Sequence, residues 1–169
     1  MLADSFGSEA EAYFNAGKYP QSLECSQQGL QISQKIENQW GESYDRMLMA
    51  FAYFENGQLG RGIQLAERSV QLADQAGLIA SSISLRSELA LVYMHCGESK
   101  KAYSLIEQAL QFAEAKQPAW RTFPQAVKVR MHLLEGDLPS AEQTAGRELI
   151  QSTSIPYARY TIFVCLANI

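Results

Sequence analysis

Apolar and small residues follow a helical period along nearly the whole chain. Arg46, Met49, Ala50 and Tyr53 fall at i, i+3, i+4 and i+7, and Arg86, Leu89, Ala90 and Tyr93 repeat that series 40 residues later. In the segments that follow, Gly62, Ala66, Ser69 and Val70 fall at i, i+4, i+7 and i+8, as do Ala102, Ile106, Ala109 and Leu110. Each set makes one stripe on a helix of about 3.6 residues per turn. No apolar–polar alternation is long enough to build a sheet.

Between paired stripes stand Gly17, Gly57 and Gly97, 40 residues apart, and Gly136, 39 further on. Gly tolerates the left-handed geometry that stops a helix. A fixed period of this kind marks a repeat array. The spacing predicts four helix–turn–helix repeats at about 5–38, 42–77, 80–117 and 119–151, in a single domain over 1–169. Residues 38–41 read as a connector, Ser99 as an N-cap, and Pro118 as a stop. Pro156 opens a last helix over 155–169, PYARYTIFVCLANI after its first residue, with no polar cap at its end. It reads as the first helix of a fifth repeat whose partner is missing, so the sequence is expected to continue, or as a helix that seals the array; its exposed part would favour a homodimer.

Small residues pair across each turn: Ala10 with Ser22, Ala50 with Gly62, Ala90 with Ala102. Facing positions without bulk let two helix backbones approach closely. Tyr13, Tyr53 and Tyr93 each precede a pivot glycine by four residues, where a ring can cover the turn. These features resemble the tetratricopeptide repeat (TPR), in the longer variety with a 40-residue period. The resemblance is strong over 43–76 and 83–116, fair over 9–36 and weaker over 122–151, where His132 replaces the Tyr, Val129 the small crossing residue and Glu148 a small residue.

The resemblance implies an all-α fold, an α-α superhelix or solenoid of about four such pairs plus the extra C-terminal helix. It also implies that first helices line a concave face that takes a protein or peptide partner. On that face would lie Tyr44, Met47, Phe51 and Phe54, then Leu91, Met94 and His95 with Ser84 and Ser87, then Phe123, Arg130 and Leu133. So apolar a set either forms a groove for an amphipathic helix or apolar peptide, or packs between successive repeats; Phe51 and Phe54 individually favour the core. Some members of the family clamp a peptide carboxylate with Lys and Asn. This chain has Gly7, Glu11, Met47 and Phe51 there, so that clamp is not expected. Trp40 and Trp120, 80 residues apart, stand at the entrances of two first helices, as end covers or rim contacts.

Composition narrows the function. The net charge is −4, and Lys100–Lys101 is the only adjacent pair among 14 basic residues, so the clustered footprint of a nucleic-acid binder is missing. Cys25, Cys96 and Cys165 are not at metal-ligand spacing and read as small buried thiols, with no metal or cofactor implied. The N-terminal segment has no basic n-region, and the apolar run 162–167 is too short to span a bilayer, which suggests a cytoplasmic protein without a membrane partner. His95 and His132 sit on different repeats, and 57–62 lacks the strand and the Lys–Ser/Thr ending of a phosphate loop, so no enzyme is expected. The reading is a signalling or assembly scaffold for protein partners. The alternatives are a ligand- or peptide-sensing arm of a larger bacterial transcription regulator or signalling ATPase, and an enzyme accessory subunit.

Overall fold

The computed structural model describes residues 2–152, with side chains over 3–146. The described residues contain helices and no strand: α1 (Leu2–Asn15), α2 (Tyr19–Lys35), α3 (Gln39–Glu55), α4 (Leu59–Gln75), α5 (Ile79–His95), α6 (Ser99–Lys116), a 3-10 turn at Pro118–Trp120, α7 (Thr122–Glu135) and α8 (Leu138–Ser152). They form the expected succession of helix–turn–helix pairs. The terminal helix expected over 155–169, and the dimer surface assigned to it, lie outside the described residues. The chain divides into two compact units, Met1–Leu85 and Arg86–Ile169, so α5 begins in one and ends in the other.

Each pivot is closed by the same hydrogen bonds. Gly17, Gly57, Gly97 and Gly136 take φ of 71°, 70°, 79° and 76°. The residue after each glycine donates its N–H to the carbonyl five back, Tyr13, Tyr53, Tyr93 or His132, at 2.8–2.9 Å. The glycine itself donates to the carbonyl three back, completing a Schellman turn. The fourth pivot therefore keeps the register of the others although His132 has replaced the tyrosine. The junctions between hairpins use the same device: Leu78 donates to Ala73 around Gly77, and Asn38 to Ser33 around Glu37. Glu37 is the one non-glycine residue with positive φ among those described, at 55°.

Three local expectations are corrected. Residues 39–41 are not a connector but the first turn of α3, because the Asn38 side chain accepts the Gly41 N–H at 3.2 Å and caps the helix. Ser99 is not the cap of α6; it is the first helical residue, its hydroxyl turned to the Met94 sulfur at 3.4 Å, and Glu98 holds the cap position without a side-chain bond. Cys96 is exposed at the turn rather than buried, while Cys25 is half-buried.

Within each hairpin the core begins at the small-residue crossing. Ala10, Ser22, Ala50, Ala90 and Ala102 are all at 0% exposure. At Gly62 a Cβ would stand 2.3 Å from the Phe54 ring and 3.0 Å from the Ala50 carbonyl oxygen, so α3 and α4 touch through their backbones there. In the fourth hairpin Val129 takes the crossing position and packs with Ala126, Ala141 and Ala145. A larger residue on α7 is thus absorbed by alanines on α8. Further along α3 and α4, Ser69 Oγ donates to the Ser43 carbonyl at 2.6 Å and Ser43 Oγ to the Ser69 carbonyl at 3.1 Å, so two buried hydroxyls are satisfied across the pair. The turn tyrosines carry cations: Lys18 lies 5.9 Å from the Tyr13 ring centre, Arg61 5.9 Å from Tyr53, and Lys101 4.0 Å from Tyr93.

Two glycines on α4 separate packing from propensity. Gly62→Ala is expected to lower stability by about 1–3 kcal/mol through overpacking. Gly60→Ala, whose Cβ meets nothing within 4 Å, raises it by roughly 0.5–1 kcal/mol. Urea denaturation of both variants checks the opposite signs. Glu37→Gly relieves a left-handed non-glycine residue and is expected to add about 1 kcal/mol, read as a rise of roughly 2–4 °C in Tm.

Candidate functional site

In the first unit α1 and α3 lie side by side and share one outward stripe. The Tyr44 hydroxyl donates to Glu11 Oε2 at 2.6 Å, joining the two helices. Further along the same seam the Phe14 and Phe51 rings meet at 6.1 Å between centroids, and Phe51 continues to Phe54 at 6.4 Å. At the other end Trp40 stacks on Tyr44, 5.3 Å between centroids and 11° from parallel. Trp40 is 43% exposed, while Tyr44, Phe14, Phe51 and Phe54 are half-buried. Burial, the Glu11 bond and nearby carboxylates raise the Tyr44 hydroxyl well above its ordinary pKa, so it stays a donor.

The four expected residues of this unit therefore have different surroundings. Tyr44 and Phe51 sit on the α1–α3 seam. Met47 packs against the buried cluster of Val70, Ala73 and Leu85. Phe54 covers Gly62 beneath the hairpin turn. Glu11 and Phe14, which were not among the expected contacts, complete the seam together with Trp40, one of the two tryptophans expected as an end cover or rim contact. The signal for Glu11 and Phe14 was available in the α1 spacing, since Gly7, Glu11 and Phe14 repeat at i, i+4 and i+7.

In the second unit Leu91, Met94 and Phe123 are buried at 6%, 8% and 2% exposure. Leu133 is half-buried against the Val129–Ala141 cluster. His95 and Arg130 are exposed. Trp120 lies beside Phe123, 6.3 Å between ring centroids, and covers the start of α7. His132 turns to Tyr103 of α6, whose hydroxyl stands 3.1 Å from Nδ1 and donates to Glu135 at 2.7 Å. Lys128 of α7 reaches Glu107 of α6 at 2.6 Å. These contacts dock α7 on α6. Among the described residues no group of three or more His, Cys, Asp or Glu side chains could hold a metal ion, and no helix is long and apolar enough to cross a membrane.

No model of a known protein family matches the sequence, and no curated relative does. Solved structures do. A putative kinesin light chain from Podosopora anserina, built of nearly identical TPR-like repeats, superposes with a TM-score of 0.67 at 20% identity, over 98% of this chain and 85% of that one. A single-substitution variant of it gives 0.67 at 21% identity over the same shares. The chain has a TPR-like repeat fold.

One position of the first TPR-like unit departs from the repeat. Asp45 on α3 occupies the place that Leu85 holds 40 residues later, where Leu85 packs on Val70 and Ala73. Asp45 is 1% exposed. Its carboxyl lies over Gly29 of α2, where a Cβ would stand 2.7 Å from Oδ1 and 2.9 Å from Oδ2. A Cβ at Gly7 of α1 would be 3.4 Å from the same Oδ1 and 2.9 Å from Tyr44 Cε1. Glycines on both neighbouring helices therefore make the room that an acid needs here. Oδ2 accepts from Ser33 Oγ at 3.3 Å, whereas Oδ1 has no hydrogen-bond partner. Burial pushes the carboxyl up to about 7; the Ser33 bond opposes that and Asp4 adds to it.

The linkage fixes the sign of a pH effect. The folded chain keeps a proton that the unfolded chain releases near the ordinary value of 3.8. Stability attributable to Asp45 is thus highest below about 4, falls between there and about 7, and is level above, a loss of up to about 4 kcal/mol. Asp45→Asn is expected to flatten this slope and to exceed the parent at pH 8. Denaturant midpoints from pH 4 to 8 check it.

Proposed function

We propose that the chain is a protein-interaction scaffold whose docking surface is the α1–α3 seam of the first unit, and that it takes a peptide segment or helix with apolar anchor residues. The carrying observation is the Trp40–Tyr44 stack at the rim of a ring-lined seam. Trp40 leaves 43% of its surface uncovered while its ring is held against Tyr44. Aromatic side chains of this kind dominate the energy of binding surfaces, since they offer a large area with little conformational freedom to lose. Rings on two adjacent helices give the seam a fixed shape before a partner arrives, which limits the entropy lost on docking.

Of the originally expected set, Tyr44 and Phe51 are assigned to this surface. Phe54 adjoins it through the Phe51 ring, and Met47 is assigned to packing against the Val70 cluster. In the second unit, exposed His95 and Arg130 are the residues available for a further contact, and Leu91, Met94, Phe123 and Leu133 are assigned to packing. The same surface would serve a peptide-sensing arm of a larger protein. The seam favours a macromolecular partner over a small ligand because it is open and ring-lined rather than an enclosed cavity.

Selection from a displayed peptide library tests the seam. Peptides recovered on the parent chain are expected to lose about 2 kcal/mol, roughly 30-fold in Kd, on Trp40→Ser or Phe51→Ser. Trp40→Ser should leave the melting temperature within about 2 °C of the parent, as expected of an exposed side chain. Peptides that bind both variants as tightly as the parent would refute the assignment.

A further inference from the structure

We infer that the partner of the α1–α3 seam is cationic: an amphipathic helix whose apolar face is flanked by Lys or Arg about three turns apart. This rests on the docking reading above and adds the chemistry of the occupant.

Charge is divided unevenly along the chain. Residues 1–85 hold ten Asp and Glu against five Lys and Arg, whereas residues 86–169 hold eight against nine. Each of the five bases of the first segment has a partner or a place elsewhere, although Lys18 adjoins Tyr19, whose ring meets Phe14 at the turn end of the seam, 5.6 Å between centroids. Arg46 on α3 pairs with Glu42 at 2.8 Å. Lys18 and Arg61 lie over the turn tyrosines Tyr13 and Tyr53. Lys35 closes the last turn of α2, and Arg68 on α4 bonds to Gln71.

The seam itself keeps carboxylates. Glu11 is exposed, level with Tyr44, and fixed by its 2.6 Å bond to the Tyr44 hydroxyl. That bond uses one oxygen and leaves the charge in place. Glu55 is exposed one helical turn beyond Phe51 on the same stripe of α3. Eleven residues separate the levels of Tyr44 and Glu55, about 16 Å or three helical turns. The Phe14–Phe51 contact lies between these levels, and the Trp40–Tyr44 stack lies beyond the Glu11 end. An aromatic strip with a negative charge towards each end, and no base on it, complements a helix with apolar residues between two cations. The exposed Trp40 face adds a cation–π platform for one of them. An acidic helix would meet like charge at both places.

Three labelled 16-residue helical peptides test this. They share one Leu/Phe face on an Ala/Gln background and differ only at two positions eleven apart, which carry Lys, Gln or Glu. Fluorescence anisotropy with the full chain is read at low and physiological salt. The Lys peptide is expected to bind about tenfold tighter than the Glu peptide at low salt, less so at physiological salt. Glu11→Gln with Glu55→Gln should abolish most of that preference, and Glu24→Gln on α2 should leave it intact. If the Gln or Glu peptide binds as tightly as the Lys peptide while Trp40→Ser or Phe51→Ser still weakens binding, the charge inference is overturned and the docking seam stands. If no peptide binds, or binding ignores Trp40→Ser and Phe51→Ser, both are overturned.

Discussion

The structure depends on how closely two helices can approach at each hairpin crossing. Ala50 and Gly62 bring the backbones of α3 and α4 into contact, with no room for one further carbon atom at residue 62. Other features of the α3–α4 hairpin accompany that contact. The Phe54 ring lies over the glycine, and Ser43 and Ser69 exchange bonds with each other's carbonyls. Where the fourth hairpin carries Val129 in place of alanine, alanines on α8 restore the fit. The extra bulk of Val129 is taken up beside the crossing, where Ala145 stands in the place that Ile106 holds in the third hairpin.

A repeat fold sets the same geometry in each hairpin and leaves function to the side chains that differ between hairpins. In the first unit three differences coincide. Asp45 stands where the next repeat has a leucine. Gly7 and Gly29 open the space around it. Tyr44, its neighbour in sequence, lies against Gly7 and reaches across to Glu11. The buried carboxyl and the exposed seam are thus two sides of one turn of α3, one facing the junction with α1 and α2 and the other facing outward. The uncompensated oxygen of Asp45 is a burden that the Leu85 position does not carry.

Helices, pivots and hairpin register were legible in the sequence because each is specified by residues close together along the chain. A pivot glycine at a fixed period and a stripe of period 3.6 are local signals, and even the fourth hairpin obeyed them although it lacks the tyrosine that precedes the other pivots. The misread helix start at Gln39 had a local signal too, the capping side chain of Asn38, hidden behind the more conspicuous Gly41. The placement of site residues was less legible. Met47, Tyr44, Phe51 and Phe54 share one stripe, yet Met47 goes to the Val70 cluster, Phe54 to the turn, and only Tyr44 and Phe51 to the seam.

By itself the sequence determined the all-helical TPR-like plan, the positions of its turns and the pairing of small residues within hairpins, because period and backbone conformation are properties of a short stretch. Tertiary structure alone decided that Asp45 is sealed among three helices, that Glu11 and Phe14 join α3 across a seam, and that Trp40 stacks on Tyr44 with nearly half its surface uncovered. Burial is a property of what lies opposite, and what lies opposite these residues comes from elsewhere in the chain: 30 or more residues away for Glu11, Phe14 and Gly7.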